Sequence, residues 1–319
     1  MTASPDISIV IVNWNTVGLL RDCLRSIYAT TRDLAFEVIV VDNASSDGSV
    51  EMMRREFSGA ILIANDANLG FAPANNQGIA VASGRHILLL NSDTVVLEGA
   101  LQRTLAFADA HPEAAVVGCR VLNPDRSLQN SCFMFPSLLN WFLFATYLDR
   151  IFPRSRFFGR EQMTWWMRDD VREVEVVTGC FMLVRREAID EVGVMDPGFF
   201  MYVEETDWCY RFHRAGWKCL FTPDGEIVHI GGGSAPKLSA RRAAIGNASF
   251  MRFMRKHWSR PATFAGRLLL ASFYAIRLAI LMPKRLVGLS VQESRRFENH
   301  WAGLKDIIAF GRYRDFPKP

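Results

Sequence analysis

ISIVIVNWN (7–15) and EVIVVDNASSDGS (37–49) decide the fold. Each is a short β-branched run that ends abruptly in polar residues, and a helical pattern follows each one. Leu19 to Tyr28 puts Leu19, Leu20, Cys23, Leu24 and Ile27 on one helix face, the 3.6-residue period of a helix packed on a core. Ser49 to Phe57 predicts the next helix. Further along, Ala60–Ala64 and His86–Leu90 predict strands, and Pro73–Ala82 and Gly99–Ala110 helices, before a strand at Ala115–Cys119. Such strand–helix alternation calls for right-handed crossovers and a mainly parallel sheet covered on both faces. Sheets of this kind bind ligands beyond the carboxyl ends of their strands. Three polar tips fall there: Asn13-Trp14-Asn15, the run Asp42 to Gly48, and Asn91-Ser92-Asp93.

The chain has 319 residues, half of them hydrophobic and 22% charged, enough for one large or two ordinary domains with a real core. That composition excludes disorder. Lys and Arg number 37 against 33 Asp and Glu, a net charge of +4, which gives no whole-chain signal for nucleic acid. The six cysteines (23, 119, 132, 180, 209, 219) show no CxxC or other zinc spacing and no disulfide framework. They read as buried free thiols. Met1 to Asp6 carry no basic region and no long apolar segment, so a cytoplasmic chain is expected.

From 133 to 170 the alternation gives way to an aromatic-dense insert with interleaved arginines, including Trp141-Phe-Leu-Phe144 and Trp165-Trp166. Strand character resumes over Val174–Arg186. A helix is expected from Glu204 to Ala215, stopped by Gly216, and a strand over Lys218–Thr222. Residues 252–296 hold ten Lys or Arg against the single Glu293, a local charge of +9 that leaves −5 for the rest. Its apolar runs, 268–276 and 278–282, are split by Arg277, too central for a comfortable membrane span. The pattern fits a helix lying in an anionic membrane interface. A C-terminal helix packed on the catalytic part is the competing reading. The interleaving of Lys and Arg with Leu and Ile speaks against nucleic acid.

Chemistry-bearing residues concentrate in three places. Asp93, at the end of an apolar strand, can ligate a hard divalent cation, although turns of this kind also carry Asn, Ser and Asp as caps. Glu204, Glu205 and Asp207 open a helix, where the helix dipole favours acids. Two adjacent acids behind the apolar Phe199-Phe-Met-Tyr-Val203 are better suited to a general base, because apolar walls raise proton affinity. His229 precedes Gly231-Gly-Gly233, whose backbone can approach a phosphate. No G-x-G-x-x-G follows the first strand and no G-K-[ST] occurs.

Taken together, IVIVNWN (9–15), VIVVDNASSDGS (38–49), NLGFAPANNQGI (68–79), LLLNSD (88–93), TGCFMLVRR (178–186), GFFMYVEETDWCYRFHRAGW (198–217) and HIGGGS (229–234) resemble the family 2 inverting glycosyltransferases. Within them the likeness is to the bacterial rhamnosyltransferase-like branch, and it covers roughly residues 6–235. The resemblance implies an α/β chain of the GT-A (nucleotide-diphospho-sugar transferase) fold, a mainly parallel mixed sheet flanked by helices. It implies a catalytic domain over 1–240, with a nucleotide-binding half (1–120) and an acceptor half (121–240), and a basic helical extension over 241–319. It further implies Mg2+ or Mn2+ and a nucleotide-sugar donor, dTDP-rhamnose or a UDP-sugar. Asp93 matches the last acid of the family's D-x-D motif, whose first position is Asn91 here. His229 stands where relatives offer a second metal ligand. Asp42 and Asn43 match the nucleobase or ribose loop, and Asn13, Asn15, Asn75, Asn76 and Ser92 are further nucleotide or sugar contacts. For the base, the second member of the acidic pair is expected to act, hence Glu205 ahead of Glu204. The expected acceptor is a saccharide carried on a polyprenyl diphosphate. Expected partners are that saccharide, the nucleotide sugar, an anionic membrane surface met through 252–296, and a second copy of the chain as a homodimer. Nucleic acid is not among them. The expected location is peripheral, on the inner face of the cytoplasmic membrane. A nucleotidyltransferase and a non-catalytic sugar-nucleotide-binding module are the alternatives. The first would need a basic glycine-rich loop where Asn13-Trp-Asn15 stands.

Overall fold

The computed structural model describes residues 4–231, 242–287 and 290–309; Gly232, Gly233 and Ser234 of the expected glycine run lie outside them. In chain order, β1 (Ile7–Asn13), α1 (Val17–Thr30), β2 (Phe36–Asp42), α2 (Ser49–Glu56), β3 (Ile61–Ala64), α3 (Phe71–Val81) and β4 (His86–Asn91) realise the predicted alternation to within two residues at each end. There follow β5 (Thr94–Val96), α4 (Ala100–Ala110), β6 (Ala114–Leu122), β7 (Cys132–Phe133), α5 (Leu138–Ala145), α6 (Leu148–Ile151), β8 (Arg172–Val174), β9 (Val176–Val177) and β10 (Phe181–Arg185). The chain continues through α7 (Arg186–Val192), α8 (Glu204–Arg214), β11 (Lys218–His229), α9 (Arg242–His257), α10 (Arg260–Val287) and α11 (Val291–Ile308).

The main sheet runs β3-β2-β1-β4-β10-β6-β11-β5, with β8 added on β11. Its first half, β3 to β4, is parallel, so the carboxyl ends of β1, β2 and β4 share one rim. In the second half β10 lies antiparallel between β4 and β6. Both faces are buried, because β1, β2 and β4 alternate Ile, Val and Leu between two separate core clusters. Gly78 lets α3 lie directly on β1, since a Cβ there would fall 2.3 Å from a methyl of Val10. All six cysteines are free and buried, as read from the sequence.

Three sequence expectations change. The strand expected over Val174–Arg186 is three pieces, broken at Glu175 and at Thr178–Cys180, and Arg186 begins a helix. The strand expected over Lys218–Thr222 runs on to His229, because its second part pairs with both β5 and the end of β6. The turn at Asn91-Ser92-Asp93 leads into a strand, β5, so there is no helix end there for these side chains to cap. Arg277, which splits the apolar runs 268–276 and 278–282 in sequence, is turned inward and only 5% exposed. Arg260–Pro283, 24 residues, is by length and composition apolar enough to cross a membrane. One side of it, however, is occupied by protein: Leu270 and Tyr274 bury against Phe250, Met254 and Ile307, and Phe273 stacks on Phe144 of α5.

Candidate active site

The rim above β1, β2 and β4 is a closed polar network. Asn13 and Asp42 are register partners, and the Asn13 amide donates to Asp42 Oδ2 at 2.8 Å. The other Asp42 oxygen accepts from Ser45 N, and Ser45 Oγ accepts from Asn15 N. Asn15 Oδ1 in turn accepts from Ser46 N at 2.7 Å. Thr16 donates to Asn13 Oδ1 at 2.6 Å and meets Ser92 Oγ at 3.0 Å, which ties the tip of β1 to the turn after β4. Asn43 donates to Gly70 O and accepts from Asn65. Asn13, Asp42, Asn43 and Ser92 are thus gathered at one edge, all buried. Asn75 and Asn76 are engaged differently. Asn75 donates to Phe71 O inside its own helix. Asn76 exchanges two bonds with the Met195 backbone and pins the loop before α8.

Next to this rim, the pairing of His229 with Thr94 brings β11 beside the turn that holds Asp93. His229 Nε2 lies 3.2 Å from Asp93 Oδ1 and 3.3 Å from the Asn91 amide nitrogen. The other ring nitrogen, Nδ1, lies 2.6 Å from Gln129 Oε1. Gln129 cannot be turned the other way round, because its NH2 group already donates to Asn123 Oδ1 (2.8 Å) and His229 O (3.2 Å). Its oxygen therefore faces the ring and Nδ1 carries a proton, which turns Nε2 toward the Asp93 carboxylate 3.2 Å away. That separation is close to the roughly 3 Å edge between neighbouring ligands of an octahedral ion bound at about 2.1 Å. An oxygen and a neutral imidazole, with the second ring nitrogen anchored, suit Mn2+ or Mg2+. Among the described residues no third His, Cys, Asp or Glu joins them, so phosphate and water would complete the shell.

Helix α8 supplies the third part. Its start is set by close packing: Gly70 has φ +91°, and a Cβ there would fall 2.4 Å from Phe200 O. That carbonyl accepts from Phe71 N. Tyr202 and Val203 both have positive φ, 70° and 68°. For a β-branched residue this costs about 1–3 kcal/mol, a strain found where a fold over-determines a functional loop. No side chain caps the helix. Glu204 and Glu205 each keep one carboxylate oxygen, Oε2, without a hydrogen-bond partner among the described residues. Burial pushes the Glu204 carboxyl well above the ordinary range, and the neighbouring Glu205 adds to it. Burial raises Glu205 as well. Three residues on, Asp207 is also fully buried, which opposes its ionisation. Hydrogen bonds from His257 and Lys256 outweigh this and hold it low, and Arg211 adds a third partner.

Cys180 stands beside the end of β4: its carbonyl accepts from Asn91 N, and its thiol, pushed up to about 12 mainly by burial, also feels the charges of Asp93 and Glu205. The structure therefore gathers Asn13, Asn15, Asp42, Asn91, Ser92, Asp93 and His229 around the ends of β1, β2 and β4, and places Glu205 in the first turn of α8. Gln129 was not signalled by the sequence. It sits behind a turn at 123–128, and only the pairing of β6 with β11 carries it to His229.

Comparison with known proteins bears on the family and the fold. A family model described as glycosyl transferase family 2 matches residues 8–193. An N-acetylglucosaminyl-diphospho-decaprenol L-rhamnosyltransferase of Mycobacterium tuberculosis is 27% identical over 277 residues, 81% of this chain and 88% of that protein. Rhamnosyltransferase WbbL of Escherichia coli is 25% identical, covering 69% of this chain and 82% of its own. The solved structure of a mannosyltransferase from Pyrobaculum calidifontis, in complex with GDP-Man and Mn2+, aligns with a TM-score of 0.56 at 18% identity, over 97% of this chain and 87% of that one. The structural likeness shows the GT-A fold, and the parallel half-sheet with antiparallel β10 is its form here.

Proposed function

The chain belongs to glycosyl transferase family 2 and is a transferase, and from that premise we propose that it is an inverting, metal-dependent rhamnosyltransferase. Its donor is a nucleotide-diphosphate sugar, dTDP-rhamnose ahead of a UDP-sugar. Its acceptor is a hydroxyl of a saccharide carried on a polyprenyl diphosphate, in the assembly of a cell-surface polysaccharide at the inner face of the cytoplasmic membrane. The relatives named as rhamnosyltransferases support the sugar, and the decaprenol-linked substrate in one of those names supports the acceptor. The observation that carries the reading is the presence in one fold of two buried carboxylates on α8, each with one oxygen left without a partner among the described residues, and of the Asp93–His229 pair at the end of β4.

In this reading Asn13, Asn15, Asp42, Asn43, Asn91 and Ser92 form the wall against which the nucleotide lies. Asn75 and Asn76 stiffen that wall from inside α3. Asp93 and His229 would hold Mg2+ or Mn2+, which when bound supplies positive charge for the diphosphate leaving group. Glu205 Oε2 accepts the proton of the acceptor hydroxyl as its oxygen bonds to the anomeric carbon. The bond from that carbon to the diphosphate breaks in the same step, and its electron pair leaves with the nucleotide. No sugar–enzyme bond intervenes, so the configuration inverts. Glu204, deeper and raised further by the neighbouring Glu205, keeps its proton, and burial raises the proton affinity of Glu205.

A panel of nucleotide sugars tests this, read by thermal stabilisation and by nucleotide release with Mn2+ and with EDTA. The reading expects metal-dependent stabilisation and release with a dTDP- or UDP-sugar. Equal release in EDTA would remove the metal. A panel in which no nucleotide sugar stabilises the chain would remove the donor.

A further inference from the structure

Helix α10 has its polarity reversed relative to an ordinary surface helix. Its interior charge, Arg277, points into the protein, donates to Phe273 O at 3.0 Å and lies 3.4 Å from the centre of the Phe273 ring. Tyr274 also turns inward and donates to Asn247 Oδ1 at 2.7 Å. Outward stand Phe264 (61% exposed), Leu268 (54%), Ile280 (54%) and Met282 (55%). Exposed Ser272, Ala275 and Ala279 fill the positions between them. At 3.6 residues per turn these positions share one broad face about 27 Å long, and no charged side chain interrupts it from 264 to 282. A water-soluble surface helix places its charges on the opposite side, and an exposed apolar strip of this length marks an interaction surface.

The N-terminal end of the strip supplies the second observation. Arg255, Arg260 and Arg267, together with Trp258 and Phe264, line an open cleft of about 370 Å3, where Arg267 also donates to Ile307 O at 2.7 Å. Phe264 belongs to both cleft and strip. Three guanidiniums beside aromatic rings, continuous with an uncharged apolar face, are complementary to a phosphate headgroup with hydrocarbon behind it. The surrounding stretch 252–296 carries +9.

We propose that the outer face of α10 and this arginine cleft are a lipid-binding surface. The face lies in the interface of an anionic bilayer, and the cleft takes a phospholipid headgroup phosphate. Because the inner side of the helix is packed on α5, α9 and α11, the helix lies along the membrane rather than crossing it. The proposal deepens the lipid-linked acceptor reading by giving the partner that holds the enzyme beside such an acceptor. It does not depend on the transfer chemistry, and its test does not use it.

The full chain is sedimented with vesicles of phosphatidylcholine alone and with 30 mol% phosphatidylglycerol. Binding is expected to the second, at least tenfold tighter than to the first. Leu268→Glu with Ile280→Glu weakens it at least tenfold. Arg255→Glu and Arg260→Glu each weaken binding to the anionic vesicles about fivefold or more, from roughly one interfacial charge interaction apiece. Millimolar inorganic phosphate leaves the protein on the vesicles, whereas release by phosphate would assign the cleft to a free anion and overturn the lipid reading. A Leu268→Trp variant guards against misfolding: its fluorescence should be quenched by brominated acyl chains. Wild-type vesicle binding by the double glutamate variant, or no quenching at residue 268, overturns the proposal. So does a dimer in sedimentation velocity that the double variant dissolves, since a second copy would then cover the face. Vesicle binding by a chain that binds no nucleotide sugar would retain this surface and refute the donor reading alone.

Discussion

The rim over β1, β2 and β4 and the first turn of α8 treat their polar atoms in opposite ways. On the rim, Asn13, Thr16, Asp42, Ser45 and Ser92 bond to one another so fully that the tips of three strands are locked. At α8, Glu204 and Glu205 each keep a bare oxygen in a buried place. The first arrangement is rigid and holds a shape; the second is costly, as the proposed base role of Glu205 requires. Asp207 shows that the cost is specific to the pair. It sits on the same helix, also buried, yet Lys256, Arg211 and a hydrogen bond with His257 keep it ionised.

The largest effect expected from breaking this contrast is at Glu205. Glu205→Gln removes the proton acceptor and should lower transfer by about 10³-fold, while nucleotide affinity stays within a few-fold. A fall in affinity that matched the fall in rate would make Glu205 a binding residue and erase the division. Next comes Asp93→Ala, expected to weaken Mn2+-dependent nucleotide binding about 100-fold and metal-free binding hardly at all, by titration calorimetry. Gln129→Leu frees the His229 ring and should weaken Mn2+ affinity about 10–100-fold, the usual size of an outer-shell loss. Gln129→Glu, which still accepts from Nδ1, should recover most of it.

Stability sharpens the comparison further. Asp207→Asn leaves Lys256 and His257 without their buried anion and should cost about 3–5 kcal/mol, seen as a lower midpoint in urea. Because the folded state lowers the Asp207 pKa, its contribution is present at neutral pH and is lost as pH falls through the folded value. The acidic pair has the opposite sign. A raised folded pKa penalises the native state once pH climbs through it, so Glu204→Gln should raise Tm at pH 8. That gain should shrink toward pH 5. An equal gain at both values would show that Glu204 is not proton-seeking in the fold.

Much of this was legible in the sequence because strands and their polar tips are local patterns. IVIVNWN and VIVVDNASSDGS announce a buried strand and the ligand edge beyond it within a dozen residues. The acidic pair was legible for the same reason, set against an apolar run. Residues 172–185 were not, since their breaks at Glu175 and Thr178–Cys180 answer to neighbours: Glu175 accepts from Phe135 N, and Thr178 N donates to Ser131 O. Gln129 was invisible because its role depends on a strand a hundred residues away. The inward turn of Arg277 was not legible, since hydropathy along the chain cannot say which side of a helix faces the protein. The asparagines illustrate a further limit. Asn13 and Asn76 look alike in sequence, but one edges the site and the other ties a loop.

The separation of holding from reacting is the feature on which the proposed transfer depends. Its most direct test follows dTDP binding and rhamnosyl transfer side by side, with Mn2+, in wild type and Glu205→Gln. The prediction is nucleotide affinity within a few-fold of wild type and transfer lower by about 10³-fold. Undiminished transfer by Glu205→Gln would contradict it.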